Sequence, residues 1–372
     1  MVRPWLSGQT RIMQEMDDKK ASHPDAGRSS DPLRDEPVSQ RGATAATAVA
    51  SVIVLSYNKF AETTGRCLDS LADDAEFPSW DVVVVDNASD QKTRSSLAAA
   101  AEKHPSLRLI LSETNRGFAG GMNLGMRQAR GDVFILLNSD TIAPPGMLGR
   151  IADAARRSSH IGLLGPVTNA AGNEQGIFTS GAGRDDTVSE GIRFANAASG
   201  SSPIRAYRLD FCGVAMRRNV YERVGELDES FGRGYYEDFD YSLRVRGAGY
   251  ELAILEDAFI YHEGSASFKE LGKETTQLIA RNKALLLAKH GNDIQFAHSR
   301  DANLSVLKRY ALMSSAGHTP PAYRVMNRLT LARADQPKSW WKRWRHARRV
   351  AVVEQSLQPL LLLSRPVRKE SE

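Results

Sequence analysis

Three acids crowd one short segment, 234-GYYEDFDYSLRVRGAGY-250: Glu237, Asp238 and Asp240. They precede a helix-like run in which Phe239, Leu243 and Val245 can pack and Gly247 or Gly249 can end the helix. Acids at a helix N-terminus are stabilised by the macrodipole, and that alone accounts for at least one of the three. The chemical alternative is a general base, a carboxylate projecting into a cleft to take the proton of a hydroxyl. The dipole would keep that base ionised at neutral pH. Asp140 is a second candidate. In 131-GDVFILLNSDT-141 the five apolar residues from Val133 to Leu137 stop on Asn138-Ser139-Asp140. Asp140 reads either as a turn residue or as an oxygen ligand of a hard divalent cation. His262 in 260-IYHEGS-265 is either a satisfied structural group or, as neutral imidazole, a further ligand of that ion.

Residues this far apart meet only if a scaffold brings them together. Ordered chain should begin at 50-ASVIVLSYN-58, after a polar stretch over 1–48 with no apolar period, which reads as a disordered leader. Apolar runs at 51–55, 81-DVVVVD-86, 107-LRLIL-111 and 132-DVFILLN-138 alternate with helical patterns through Cys67 and Leu71, over 90–103 and in GMNLGMRQAR. Continuous rather than alternating apolar runs indicate strands covered on both faces, so the fold class is α/β with a mostly parallel sheet flanked by helices. Ligands of such sheets sit at the carboxyl ends of the strands. The polar residues there, Ser56-Tyr57-Asn58, Asp86-Asn87, Asn115-Arg116 and Asn138-Ser139-Asp140, therefore share one rim.

Further along, IGLLGPV suggests a fifth strand and 169–203 a long, functional loop region rich in Gly, Ala, Ser and Asn. LDFCGVAM then resumes strand character, and RNVYERVG is a short helix closed by Gly225. The segment 251-ELAILEDAFIYHEGSAS-267 suggests two short strands around a Glu256-Asp257 turn.

Several functions are excluded early. Neither G-x-G-x-x-G after the first strand nor G-x-x-x-x-G-K-[ST] occurs, so a phosphate would be held by carboxylate and metal instead. The chain has 372 residues, 41% hydrophobic and 25% charged, which is ordinary globular composition. Net charge is +5, yet 338-KSWWKRWRHARR-349 alone contributes six Lys or Arg and no acid. The remainder sits one charge below neutral, so no nucleic-acid partner is expected. Cys67 and Cys212 form no metal or redox spacing, which points to packing and a reducing cytoplasm. No signal-peptide pattern and no run of about 18 apolar residues appears.

SYN after the first strand, VVVVDNASD, TNRGFAGGMNLGMRQARG, LLNSDT, FCGVAM, GYYEDFDYSLRVRGAGY, IYHEGS and RNKALLLAKH stand, over about residues 50–290, in the order seen in family 2 inverting glycosyltransferases. The set most resembles the bacterial rhamnosyltransferase-like branch. The resemblance implies a GT-A-type nucleotide-diphosphosugar fold over 49–295, with 296–372 as a helical C-terminal extension. It implies a metal-assisted single displacement using Mg2+ or Mn2+. Tyr57 would lie against the nucleobase with Leu55 and Ser56 nearby, flanked by Asn58. Asp86 would contact base or ribose, and Asn115, Arg116 and Gly117 the nucleotide or diphosphate. Asp140 matches the last acid of the D-x-D motif and would ligate the metal with His262. Asn138 replaces the first acid and leaves fewer charges on the ion. Asn138 and Ser139 would line the donor site. Asp238 matches the catalytic base, with Glu237 beside it. The small residues of GFAGGMNLG serve either close approach of backbone to the diphosphate or helix–sheet packing.

The implied partners are a dTDP- or UDP-linked sugar and a hydroxyl of a cell-surface polysaccharide or lipid-linked glycan precursor. Rhamnose, another hexose and an N-acetylhexosamine all stay open as the sugar, and a non-catalytic scaffold binding nucleotide sugar or membrane is the reading from another class. At the C-terminus, Trp340, Trp341, Trp344, Ala347 and Ala351 share one helical face, with Lys342, Arg343, Arg345 and Arg349 mostly on the other, before Pro359 interrupts. That helix over 339–353 either packs on the catalytic domain or meets an anionic membrane surface. The second reading would make the protein peripheral on the inner face of the plasma membrane.

Overall fold

Alternate residues of each central strand enter different cores. Val52 and Val54 pack on one face of the sheet and Ile53 on the other; Val82 and Val84 face away from Val83 and Val85. A strand buried on both sides can carry no solvent-facing alternation, which is why these runs are continuously apolar. The computed structural model describes residues 50–264, 272–292, 294–296, 298–315 and 320–363. The leader expected over 1–48 lies outside them.

The strands are β1 (Ala50–Ser56), β2 (Asp81–Asn87), β3 (Leu107–Ser112), β4 (Val133–Asn138), β5 (Thr141–Ile142), β6 (Ile161–Val167), β7 (Ile204–Ala206), β8 (Gly213–Arg217), β9 (Glu251–Phe259) and β10 (Tyr261–His262). The main sheet runs β3-β2-β1-β4-β8-β6-β9-β7. Its first four members are parallel, β8 is antiparallel to β4 and to β6, β6 and β9 are parallel, and β7 is antiparallel to β9. Helices α1 (Thr64–Ala72), α2 (Gln91–Lys103) and α4 (Met147–Arg157) cover one face. Helices α3 (Gly117–Gln128), α5 (Arg184–Ala197), α6 (Arg218–Val224) and α7 (Glu237–Gly247) cover the other. After α8 (Gly272–His290), the helices α9 (Ser299–Ser315), α10 (Ala322–Ala334) and α11 (Trp340–Leu363) enclose a core of their own around Leu307, Tyr310, Leu329 and Leu357. The expected architecture, a mostly parallel sheet between helices with a helical C-terminal region, is present.

Three local expectations are corrected. The region 169–203 is not all loop, because α5 occupies its middle. Asp185 and Asp186 sit favourably in the first turn, and Phe194 and Ala195 are buried. The small residues that hid this helix serve its packing: a Cβ at Gly191 would strike the Phe259 ring. Second, no turn breaks β9 at Glu256-Asp257. Glu256 is buried in mid-strand, where its carboxylate accepts from Tyr310 Oη and pairs with Arg324 and Arg328. Those partners lie on α9 and α10, so the charge is paid for by helices distant in sequence. Third, α11 continues through Pro359. Pro359 and Gln355 are exposed, so the carbonyl deprived of its donor can face water.

Candidate active site

A cleft of about 1040 Å3 opens at the carboxyl ends of the central strands. From the expected set, Leu55, Tyr57, Asn115, Gly117, Asn138, Ser139, Asp140, Glu237, Asp238 and His262 line it. Residues separated by more than two hundred positions thus share one concavity.

The pair Asp140 and His262 is assembled by the short strands β5 and β10. His262 stands opposite Thr141 in their antiparallel pairing, and Glu263 N donates to Asp140 O at 2.9 Å. This leaves His262 Nε2 3.2 Å from Asp140 Oδ1. Asn169 fixes the histidine backbone by reciprocal hydrogen bonds at 2.9 Å, and Ala170 O lies 3.3 Å from Nδ1. Burial pulls the imidazole down, but hydrogen bond and charge from Asp140 prevail and hold it above its ordinary value. Asn138 Oδ1 is buried without a hydrogen-bond partner. Among the described residues no group of three or more His, Cys, Asp or Glu gathers as a metal site. A carboxylate, an imidazole and an unsatisfied amide oxygen nevertheless fit a divalent ion that completes its shell with substrate phosphate oxygens, as Mg2+ commonly does.

Opposite acids lead into α7. The turn before them is strained: Tyr235 and Tyr236 have φ of 70° and 75°, a region that bulky side chains avoid. Asn282 on α8 supports that turn. Its Nδ2 lies 2.7, 2.8 and 3.1 Å from the carbonyls of Phe231, Gly234 and Tyr235, and the residue is fully buried. Asn282→Ala should cost about 1–3 kcal/mol in a denaturant melt, because those carbonyls lose their donor. It should also lower kcat more than it raises donor KM, since the turn places Asp238.

The three acids of this segment have separate fates. Asp240 is structural: fully buried, it is bound by Arg244, Lys289 and His290. Burial alone would raise its carboxyl, but hydrogen bonds from Lys289, His290 and Arg244 hold it below the ordinary range. Glu237 is buried, its Oε2 has no hydrogen-bond partner, and burial followed by the charge of Asp238 pushes it well up. Asp238 is raised by burial and by Asp210, against the pull of Arg208. The two titrate as a pair. Because no cation among the described residues offsets Glu237, it holds the proton while Asp238 ionises.

A stability consequence follows. A carboxyl raised on folding stabilises the fold below its unfolded value, near 4.5 for Glu237, and that contribution vanishes as pH rises through the folded value. Glu237→Gln should therefore raise Tm in alkaline buffer and change it little in acid. The acid limb of kcat/KM should stay where it is, because Glu237 is already uncharged while Asp238 ionises.

Four expected residues fall outside the cleft lining. Ser56 Oγ is paired with Thr64 Oγ1 at 2.8 Å, and Asn58 accepts from Asp90 N at 2.8 Å while its own N–H donates to Ser89 Oγ at 2.9 Å. Asp86 is fully buried, accepts from Ser89 N at 3.2 Å and pairs with Arg94 at 3.0 Å. Arg116 donates its N–H to Asn87 Oδ1 at 2.8 Å and its Nε–H to Ser112 Oγ at 3.2 Å. These side chains sew together the turns that follow β1, β2 and β3. Of the two roles left open for the glycines of α3, the structure speaks for packing: Gly121 and Gly125 admit the side chains of Leu55 and Ile53. Gly117 lines the cleft at φ +67°, with Gly232 O where a Cβ would stand.

Other lining residues carried no expectation. Arg208 Nη1 bonds Asp210 Oδ1, and Asp210 Oδ2 accepts from Gly172 N at 2.8 Å. The Arg208 guanidinium lies 5.3 Å from the centre of the Phe239 ring. The signal was present in 207-YRLDFCGV-214, where an Arg and an Asp alternate just before an apolar strand.

Residues 51–224 match the family model described as glycosyl transferase family 2. Over this segment the chain resembles family 2 glycosyltransferases. Of the transferases it resembles, YfnE of Bacillus subtilis, an uncharacterized glycosyltransferase, is 32% identical over 254 residues, covering 58% of this chain and 64% of YfnE. An uncharacterized glycosyltransferase of a Nostoc species is 26% identical over 183 residues, 48% of this chain and 53% of its own. The N-acetylglucosaminyl-diphospho-decaprenol L-rhamnosyltransferase of Mycobacterium tuberculosis is 25% identical over 229 residues, 54% of this chain and 72% of that one. The chain thus spans between about half and two thirds of the length of the first two glycosyltransferases. The family match ends ahead of Asp238 and His262, so the matched segment meets the candidate base and second metal ligand only in the tertiary structure.

Proposed function

We propose that the chain transfers a sugar from a nucleoside-diphosphate donor to a hydroxyl of a cell-surface polysaccharide or lipid-linked glycan precursor, with inversion. The observation that carries this reading is that Asp238 and the Asp140–His262 pair line one cleft. Tyr57 and Leu55 offer an apolar platform for the base at the end of β1. Asp140, His262 and Asn138 Oδ1 would hold Mg2+ or Mn2+. When bound, that ion neutralises charge on the departing diphosphate. Asp238 accepts the acceptor's proton as the acceptor oxygen bonds to the anomeric carbon and the bond to the diphosphate breaks. Glu237, holding its proton, keeps a second negative charge away from the base.

Similarity to the Mycobacterium tuberculosis N-acetylglucosaminyl-diphospho-decaprenol L-rhamnosyltransferase favours rhamnose as the sugar and a lipid-linked acceptor. A UDP-hexose or UDP-N-acetylhexosamine is the competing donor. The deciding experiment follows nucleotide release with a panel of dTDP- and UDP-sugars in Mg2+ or Mn2+. One donor class should turn over well above its hydrolysis blank. Nucleotide binding without release from any donor would leave a non-catalytic scaffold in its place. A lipid-linked acceptor would bring the reaction to the cytoplasmic face of a membrane. Among the described residues no helix is long and apolar enough to cross one.

A further inference from the structure

Helix α11 packs on α9 and α10 through His346, Val350, Val353, Leu357 and Leu360, all buried. At 100° per residue these form one stripe. Trp340, Trp341, Trp344, Ala351 and Val352 fall on the opposite side, so the tryptophan face is not the packing face. The three indoles are 70%, 51% and 46% exposed, and Val352 is 68% exposed. Trp341 and Trp344 stack at 5.0 Å, and Arg348 lies 4.7 Å from the centre of the Trp344 ring. Beside them a groove of about 220 Å3 runs between α9 and α11, with Leu304, Val352 and Val353 as its apolar lining and Lys308, Arg348 and Arg349 around it. Arg349 is paired with Asp301 at 2.6 Å, while residues 338–349 contain no acid.

Three exposed indoles on a helix flanked by cations are costly in water alone. A nucleic acid would neutralise the charge, but it offers no apolar layer for the indoles and Val352. From this geometry we infer that the N-terminal half of α11, with Lys308 of α9, docks on an anionic bilayer surface. The indoles enter the headgroup–acyl boundary and the cations Lys308, Arg345 and Arg348 meet lipid phosphates. The docking stands apart from the proposed transfer reaction and needs none of the cleft residues.

The test is co-sedimentation of the full chain with vesicles of phosphatidylcholine containing phosphatidylglycerol, against phosphatidylcholine alone. The chain should pellet with the anionic vesicles only, tryptophan emission should shift to the blue, and added salt should release it. Trp340→Ala, Trp341→Ala and Trp344→Ala combined should abolish binding with an unchanged circular-dichroism melt. Arg345→Glu should weaken it by about fivefold or more. Asp238→Asn should bind vesicles as the unaltered chain does, which separates failure of docking from failure of the transfer reaction. The inference is overturned if the chain stays in the supernatant with anionic vesicles. It is also overturned if the folded triple variant still pellets, or if the indoles instead mediate self-association or nucleic-acid binding without vesicle binding.

Discussion

Asp238→Asn should lower kcat by about 10²–10⁴-fold, the usual worth of a positioned general base, with little change in nucleotide affinity. Asn keeps the shape and the hydrogen bond from Phe239 N at 2.7 Å but cannot take a proton. The carboxylate of Asp238 is raised by burial and by Asp210, so the unaltered enzyme should lose kcat/KM as pH falls into the acid range. The sign is that of a group active only when ionised. Isothermal titration with nucleoside diphosphate alongside steady-state assays separates the two effects. Unimpaired turnover in the Asn variant would move the base elsewhere in the cleft.

Asp140→Ala should abolish metal-dependent turnover and weaken Mn2+ binding in the presence of nucleoside diphosphate by at least about tenfold. Asp140 brings its carboxylate to 3.2 Å from His262 Nε2, next to the β5–β10 pairing. Its loss leaves the imidazole and the Asn138 amide, neither of which carries negative charge. Excess chelator should silence the unaltered chain in the same way, with activity restored by Mg2+ or Mn2+. Binding of Mn2+ followed by electron paramagnetic resonance supplies a readout independent of activity. Asn138→Asp should tighten that binding, because it adds a second anionic oxygen at a position whose Oδ1 is unsatisfied. Full activity in chelator would remove the metal from the reaction.

How much of this was legible depended on the range of the interaction. The strands β1, β2 and β4 were readable because burial on both faces makes their runs almost continuously apolar, and β3, at the sheet edge, from its Leu and Ile; each such run is a local signal. Asp140 and Asp238 were readable as candidates because each acid stands at the end of a strand or the start of a helix. The fate of Asp240 was not, since its partners Lys289 and His290 lie on α8, about fifty residues away. Glu256 misled for the same reason: a carboxylate flanked by Asp looks like a turn until two guanidiniums and a tyrosine arrive from α9 and α10. Helix α5 was hidden by small residues whose purpose is contact with Phe259.

By itself the sequence determined the class of the sheet, the rim on which polar residues gather, the segment that carries the acids and the amphipathic character of α11. Each of these is set by which residues must leave water within a few turns of chain. Tertiary structure alone decided that His262 faces Asp140, that among the described residues Glu237 rather than Asp238 lacks a counter-charge, that Arg208 and Asp210 enter the cleft, and that the tryptophans of α11 point away from the body. Strands of two residues such as β5 and β10 have no local preference strong enough to predict their pairing. The charge state of a buried acid depends on neighbours brought from every part of the chain.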